Sequence, residues 1–164
     1  MIFRKQLGPK DCFRTVIGCV TDTEPQDVPD FMASDDSDFC TLETYNAIRD
    51  YLRVYNFDIL QINVKVPDDL PVQDILDHIE YLQGSDIVYL LCGMSVAGHH
   101  VVICRGNKII WDPSPVNAWI RGPYKGLYCV NYISKSFMRY NGPLPENQNP
   151  FDIGADDNED QISV

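Results

Sequence analysis

Long hydrophobic runs are missing from this chain of 164 residues. Its longest apolar stretch, Ile87 to Cys92, falls far short of the roughly 20 residues that a membrane-spanning helix needs, so no membrane partner is expected. The start lacks an apolar segment too. Arg4-Lys5 runs into Gln6, Gly8, Pro9 and Lys10, so no signal peptide is expected. The six cysteines (12, 19, 40, 92, 104 and 129) include no Cys-x-x-Cys pair, which argues against a structural zinc site. Without an export signal, a reduced cytoplasmic protein is expected rather than a disulfide framework, and Cys19, Cys92, Cys104 and Cys129 read as small hydrophobes inside apolar patterns.

Positive charge is scarce: 13 Lys and Arg stand against 24 Asp and Glu, a net charge of -11. Residues 141–164 hold six of those acids and no Lys or Arg, which leaves 18 acids against 13 bases over the first 140 residues. No basic patch is available to neutralise phosphates, so no nucleic-acid partner is expected. Asp35, Asp36 and Asp38 lack the spaced glycine and terminal glutamate of a calcium loop, so residues 30–40 read as a solvated loop. Neither a metal nor a cofactor is expected. No internal repeat is visible.

What remains is the pattern of one α+β domain over residues 1–140, followed by an acidic tail, 141–164, expected to be disordered because few apolar residues offset its ordering entropy. Phe13, Val16, Ile17 and Val20 repeat at helical spacing after Asp11, whose carboxylate is suited to cap the first turn. A second helix is predicted from Thr41 to Tyr55, with Leu42, Tyr45, Ile48, Leu52 and Tyr55 on one face. A strand follows, with Leu60, Ile62, Val64 and Val66 on a covered side and Gln61, Asn63 and Lys65 on a more polar one. The third helix opens near Pro71 and carries Val72, Ile75, Leu76, Ile79 and Leu82 up to Gly84. His78 lies off that stripe and reads as a surface histidine. Short strands are predicted at Ile87–Met94, His99–Cys104, Lys108–Trp111 and Leu127–Ile133, the first three joined by turns and so antiparallel. Helices first and an antiparallel sheet after them indicate α+β.

Four residues carry the chemistry. Cys12 lies in the first helical turn, where the macrodipole and free N–H groups favour a thiolate. His99 and His100 open a strand whose alternation sends them to opposite faces, so only one of them faces a given cleft. Asp112 ends the neighbouring strand, where a carboxylate can orient an imidazole. Gln6 stands shortly before the cysteine and can donate its amide to an oxyanion.

In that order, Gln6, Asp11-Cys12, His99-His100-Val101-Val102-Ile103 and Asp112-Pro113 resemble the papain-like cysteine peptidase superfamily, and within it the bacteriocin-leader-processing, double-glycine-type peptidases. The segment from Asp11-Cys-Phe-Arg through Val28-Pro-Asp-Phe31 also looks like small uncharacterised phage and bacterial proteins of this group. The resemblance covers about residues 1–135. It implies a papain-like fold, a nucleophile helix packed on a small antiparallel sheet. It also implies a Cys12 nucleophile, a His99 base and acid, an orienting Asp112 and a Gln6 oxyanion donor. His99 is preferred to His100 because Gly-His before a hydrophobic strand is the family's pattern. Phe13 departs from the glycine that often follows the nucleophile. No transporter segment accompanies the domain, so the export-linked role is not expected to carry over.

The expected activity is hydrolysis of an amide or peptide bond in a peptide or protein substrate. Deamidation or acyl transfer at glutamine is the close alternative. An inactive peptidase-fold protein that binds a host partner is the alternative from another class. If the chain is phage-encoded, the cytoplasm expected for it is that of the host.

Overall fold

The computed structural model describes residues 1–8, 10–31 and 41–135. The elements in order are α1 (Cys12–Thr21), a 3-10 turn (Pro25–Asp27), α2 (Leu42–Val54), β1 (Phe57–Lys65), α3 (Val72–Gln83), β2 (Val88–Ser95), β3 (Gly98–Arg105), β4 (Lys108–Trp111) and β5 (Leu127–Lys135). Among the described residues the architecture is therefore mixed: three α-helices and a five-stranded antiparallel sheet of order β1-β5-β2-β3-β4. The expected tail, 141–164, and most of the loop at 30–40 lie outside the described residues. No helix among the described residues is long and apolar enough to cross a membrane.

Both faces of the sheet are covered. On one, α1 and α2 bring Val16, Ile17, Ile48 and Leu52 against Ile59, Leu90, Val101 and Ile103. On the other, α3 brings Ile75, Leu76 and Ile79 against Leu91, Val102, Cys104, Tyr128 and Val130. This is why β2 reads as an unbroken apolar run rather than an alternating one: Tyr89 to Gly93 are all buried, as expected of a strand covered on both sides.

Thr41 caps α2 by accepting from the backbone N–H of Thr44 at 3.2 Å, the role a threonine oxygen plays at the orphan donors of a first turn. Asp11 does not cap α1 as expected. It stands at the N-cap position, where its carbonyl accepts from Thr15 N at 2.8 Å, but its backbone is at φ -86, ψ 7 and its carboxylate makes no capping bond. Capping needs an extended backbone at that residue.

The strand at 57–65 differs from expectation in its covered face. Ile59 is 6% exposed, whereas Leu60 is 58% and Ile62 42% exposed. β1 is an edge strand, and α2 packs against the side that Ile59 and Phe57 share. On the other side α3 reaches only Val64 and Val66. Leu82, assigned to the apolar stripe of α3, is likewise exposed, while His78 is at the surface as read.

Between β4 and β5 the chain crosses the α3 face of the sheet, burying Ala118 and Ile120 and bridging Gly122 to Met94. Gly93 makes this approach possible. A Cβ built there would lie 2.7 Å from Gly122 O and 2.8 Å from Ile120 Cγ2, closer than carbon tolerates.

Candidate functional site

Cys12 is the first residue of α1 and is half-buried against the α1–α2 core. Burial pushes its thiol pKa up. The backbone N–H groups of Val101, Phe13 and Cys12 itself pull it down, and the Asp11 carboxylate adds a smaller upward push. The helix start therefore acts in the expected direction, but desolvation outweighs it and the net shift is upward. No imidazole figures among the principal influences on the thiol. The sulfur lies against the backbone of Val101, the residue that follows His100.

The two histidines diverge. His99 is exposed, with its ring centroid 4.9 Å from that of Tyr124 at a tilt of 44°. Its pKa is lowered, first by local desolvation and then by His100. His100 is buried and donates from Nε2 to Asp112 Oδ1 at 2.8 Å. The expectation that Asp112 orients His99 is corrected here: the carboxylate belongs to His100.

The reason lies in the register of the β3–β4 hairpin. Arg105 pairs with Lys108 and Cys104 with Ile109, but Ile103 pairs with Trp111, so an irregularity between Ile103 and Cys104 leaves Ile110 as an extra residue on β4. Unbroken pairing from the Gly106–Asn107 turn would have set Asp112 opposite Val101, on the His99 face. One bulge residue moves it to the face of Val102 and His100.

Asp112 is 2% exposed, and its carboxylate is fully engaged. Oδ1 also accepts from Ser114 N at 2.8 Å, and Oδ2 accepts from Trp119 N at 2.7 Å. The bond to Ser114 is the local turn bond that an Asp before proline commonly makes. Here the same side chain supports the turn and the imidazole.

Gln6 reaches the same place from the other end of the chain. Its backbone N–H donates to Pro113 O at 2.9 Å, and its side-chain Oε1 is buried without a partner among the described residues. Lys5, which the sequence reading passed over, fastens this junction: Nζ donates to Asp112 O at 2.7 Å, Ser114 O at 2.8 Å and Asn117 Oδ1 at 2.9 Å. It also lies 4.5 Å over the Trp111 ring, a favourable place for a cation. Trp111 in turn stacks on Phe3 at 4.9 Å and donates from Nε1 to Arg4 O at 3.0 Å. These partners are more than 100 residues apart in sequence. The only local signal was the turn chemistry of Pro113-Ser114-Pro115.

The structure thus brings Gln6, His100 and Asp112 to one junction, with Cys12 beside it on the backbone of Val101, and sets His99 on the neighbouring surface. No group of three or more metal-ligating side chains occurs among the described residues. Comparison with known proteins yields no matching family model, no matching curated protein and no matching solved structure.

Proposed function

We propose that this chain is a cysteine-dependent hydrolase of papain-like type that cleaves an amide or peptide bond in a peptide or protein substrate, with Cys12, His100 and Asp112 as its triad. The observation that carries the reading is the buried His100–Asp112 pair at 2.8 Å, one residue from the backbone against which the Cys12 sulfur rests. Asp112 holds Nε2 as the protonated nitrogen, which leaves Nδ1 as the acceptor. Burial disfavours the Cys12 thiolate, so the role assigned to His100 is to take the thiol proton during attack.

In this mechanism Cys12 Sγ attacks the carbonyl carbon while its proton passes to His100 Nδ1, not through the sheet but past the edge of β3 at Val101, which β4 leaves open because its pairing ends at Ile103. The oxyanion is met by the Gln6 amide and by the backbone N–H of Cys12 at the helix start. The tetrahedral intermediate collapses with the leaving amine taking the proton from His100. Water, activated by the same imidazole, then releases the acyl group and restores the thiol. Deamidation of a glutamine side chain needs the same steps with ammonia as the leaving group. By the resemblance already drawn, a phage or bacterial accessory role fits this chemistry.

The upward shift of the Cys12 thiol favours a second reading, in which the chain keeps the fold as a binding protein and performs no hydrolysis. A peptide library incubated with the parent chain and with Cys12→Ala decides among these. Cleaved products that Cys12→Ala does not form support the hydrolase. Intact peptides carrying acid in place of amide move the assignment to deamidase. Identical libraries, with Cys12→Ala retaining the protein's biological effect, leave only the binding reading. His100→Gln should lower turnover at least a hundredfold, and His99→Gln less than threefold, since general acid–base catalysis contributes roughly 10²–10⁴-fold. The reverse order would return the base to His99.

A further inference from the structure

Two thiols lie together on the sheet face that α1 and α2 cover. Cys92 of β2 and Cys129 of β5 are direct cross-strand partners, so both side chains leave the same face of the sheet. Opposed residues on antiparallel strands have Cα atoms about 4.5–5.5 Å apart. That lies inside the window of about 4.4–6.8 Å over which a disulfide closes.

The neighbouring side chain is not what a hydrophobic core would select. Asn131, 1% exposed, donates from Nδ2 to both sulfurs, at 3.6 Å to Cys92 and 3.4 Å to Cys129. Its Oδ1 is buried with no partner among the described residues. A buried amide left half unsatisfied costs stability, whereas a donor aimed at two sulfurs suits a site where one of them carries negative charge. The pair is also asymmetric. Cys92 is buried and Cys129 half-buried, and Cys129 faces the exposed Asn63 of the edge strand.

We propose that Cys129 and Cys92 form a thiol–disulfide exchange site for a small disulfide of the glutathione class, with Cys129 as the attacking thiol and Cys92 as the resolving one. The Cys129 thiolate attacks one sulfur of the small disulfide. That S–S bond breaks, and the displaced thiolate takes up a proton. Cys92 then gives up its proton and attacks the Cys129 sulfur of the mixed disulfide, expelling the second small thiol. The protein loses two hydrogens and gains a β2–β5 disulfide, and the small disulfide is reduced to two thiols. Acidity supports the assignment. The Cys129 thiol pKa is lowered, first by its hydrogen bond with Cys92 and also by Asn131, against burial. Those of Cys12, Cys19 and Cys104 are all raised by burial.

The test treats the full chain with oxidised glutathione under native conditions, followed by intact mass and peptide mapping. The expected product has lost two hydrogens, carries a Cys92–Cys129 linkage and returns to the starting mass with dithiothreitol. Cys92→Ser should stop at one glutathione on Cys129. If that variant does not fold, Cys129→Ser should show neither linkage nor an adduct on Cys92. A glutathione adduct that persists on Cys129 in the parent chain would overturn the proposal. So would modification at other cysteines while Cys129 stays free, or an adduct on Cys92 in Cys129→Ser. The mapped peptides are separate from that of Cys12, so the outcome does not depend on the hydrolase reading.

Discussion

On the α3 face of β3, His100 is buried and bonded to a carboxylate that is itself held by two backbone N–H groups. One residue earlier, on the α1 face, His99 is exposed and rests against a tyrosine ring. The contrast teaches that the chemistry of a histidine in a strand is set by which side of the sheet it leaves and what the next strand presents there. The face with His100 closes over it because the 113–126 connection lies on that side, with Ile120 and Ala118 buried and Trp119 N turned to Asp112. The other face is sealed by α1 and α2 over Ile59, Leu90 and Ile103, and towards β1 its open end exposes Asn63 and Lys65.

The strongest way to break this contrast is to remove Asp112. Asp112→Ala leaves three donors, His100 Nε2 and the N–H groups of Ser114 and Trp119, without their acceptor. Each unsatisfied buried donor costs about 1–3 kcal/mol, so the three together are expected to cost about 3–9 kcal/mol in urea unfolding, nearer the lower figure because the Trp119 bond is only part-buried. Asp112→Asn keeps an acceptor oxygen for part of the set and should lose less. Equal stability of Asp112→Ala and the parent would show that the pair is not closed in solution.

The two sides of β1 give the next largest difference. Ile59→Ala should cost about 2–4 kcal/mol, as for a buried aliphatic cut to Ala. Leu60→Ala, one residue along and exposed, should stay within about 0.5 kcal/mol. Paired urea midpoints check this, and similar losses at the two positions would contradict the observed facing.

That pair also shows what the sequence could and could not convey. Helix positions were legible because Val16, Ile17, Ile48, Leu52, Ile75 and Ile79 repeat at helical spacing and each meets a sheet face. The strands of the hairpins were legible from apolar runs broken by turns. The covered side of β1 was not, because alternating Leu60, Ile62 and Val64 look core-directed, and only the tertiary layout shows that no helix among the described residues lies over the first two. Gln6, Cys12 and Asp112 were legible as residue types suited to the expected chemistry, and the structure brings Gln6 and Asp112 to one junction. The partner of Asp112 was not, since a single unpaired residue, Ile110, decides its face, and local sequence carries no clear mark of that bulge. The burial of the Cys12 thiol was not legible for a similar reason: the helix start was visible, but the core that desolvates it was not.

Gly93 offers a smaller, more specific perturbation of the same architecture. Gly93→Ala places a methyl group against Gly122 O and Ile120 Cγ2, and overpacking of this kind costs about 1–3 kcal/mol. The displaced segment carries Trp119, so the hydrogen bond to Asp112 Oδ2 should loosen. Hydrogen exchange of the Trp119 amide should therefore quicken in Gly93→Ala beyond what the global loss of stability explains.

The smallest effect concerns His99 alone. Its folded-state pKa lies below the ordinary imidazole value of about 6.5, because local desolvation and the adjacent His100 disfavour its charged form. Between the folded and unfolded pKa values, the unfolded chain binds more protons than the folded one, so stability rises with pH across that window. His99 therefore withholds nothing above about pH 7. As the pH falls through 6.5 and on through the lower folded value, it draws stability away from the native state. His99→Gln removes that group, and its urea midpoint should fall less than that of the parent when the buffer is taken from about pH 8 to about pH 5, a range that brackets the imidazole value. A parallel decline in the two proteins would place the acid sensitivity elsewhere and leave His99 a freely solvated imidazole, the opposite of a ring held against Tyr124.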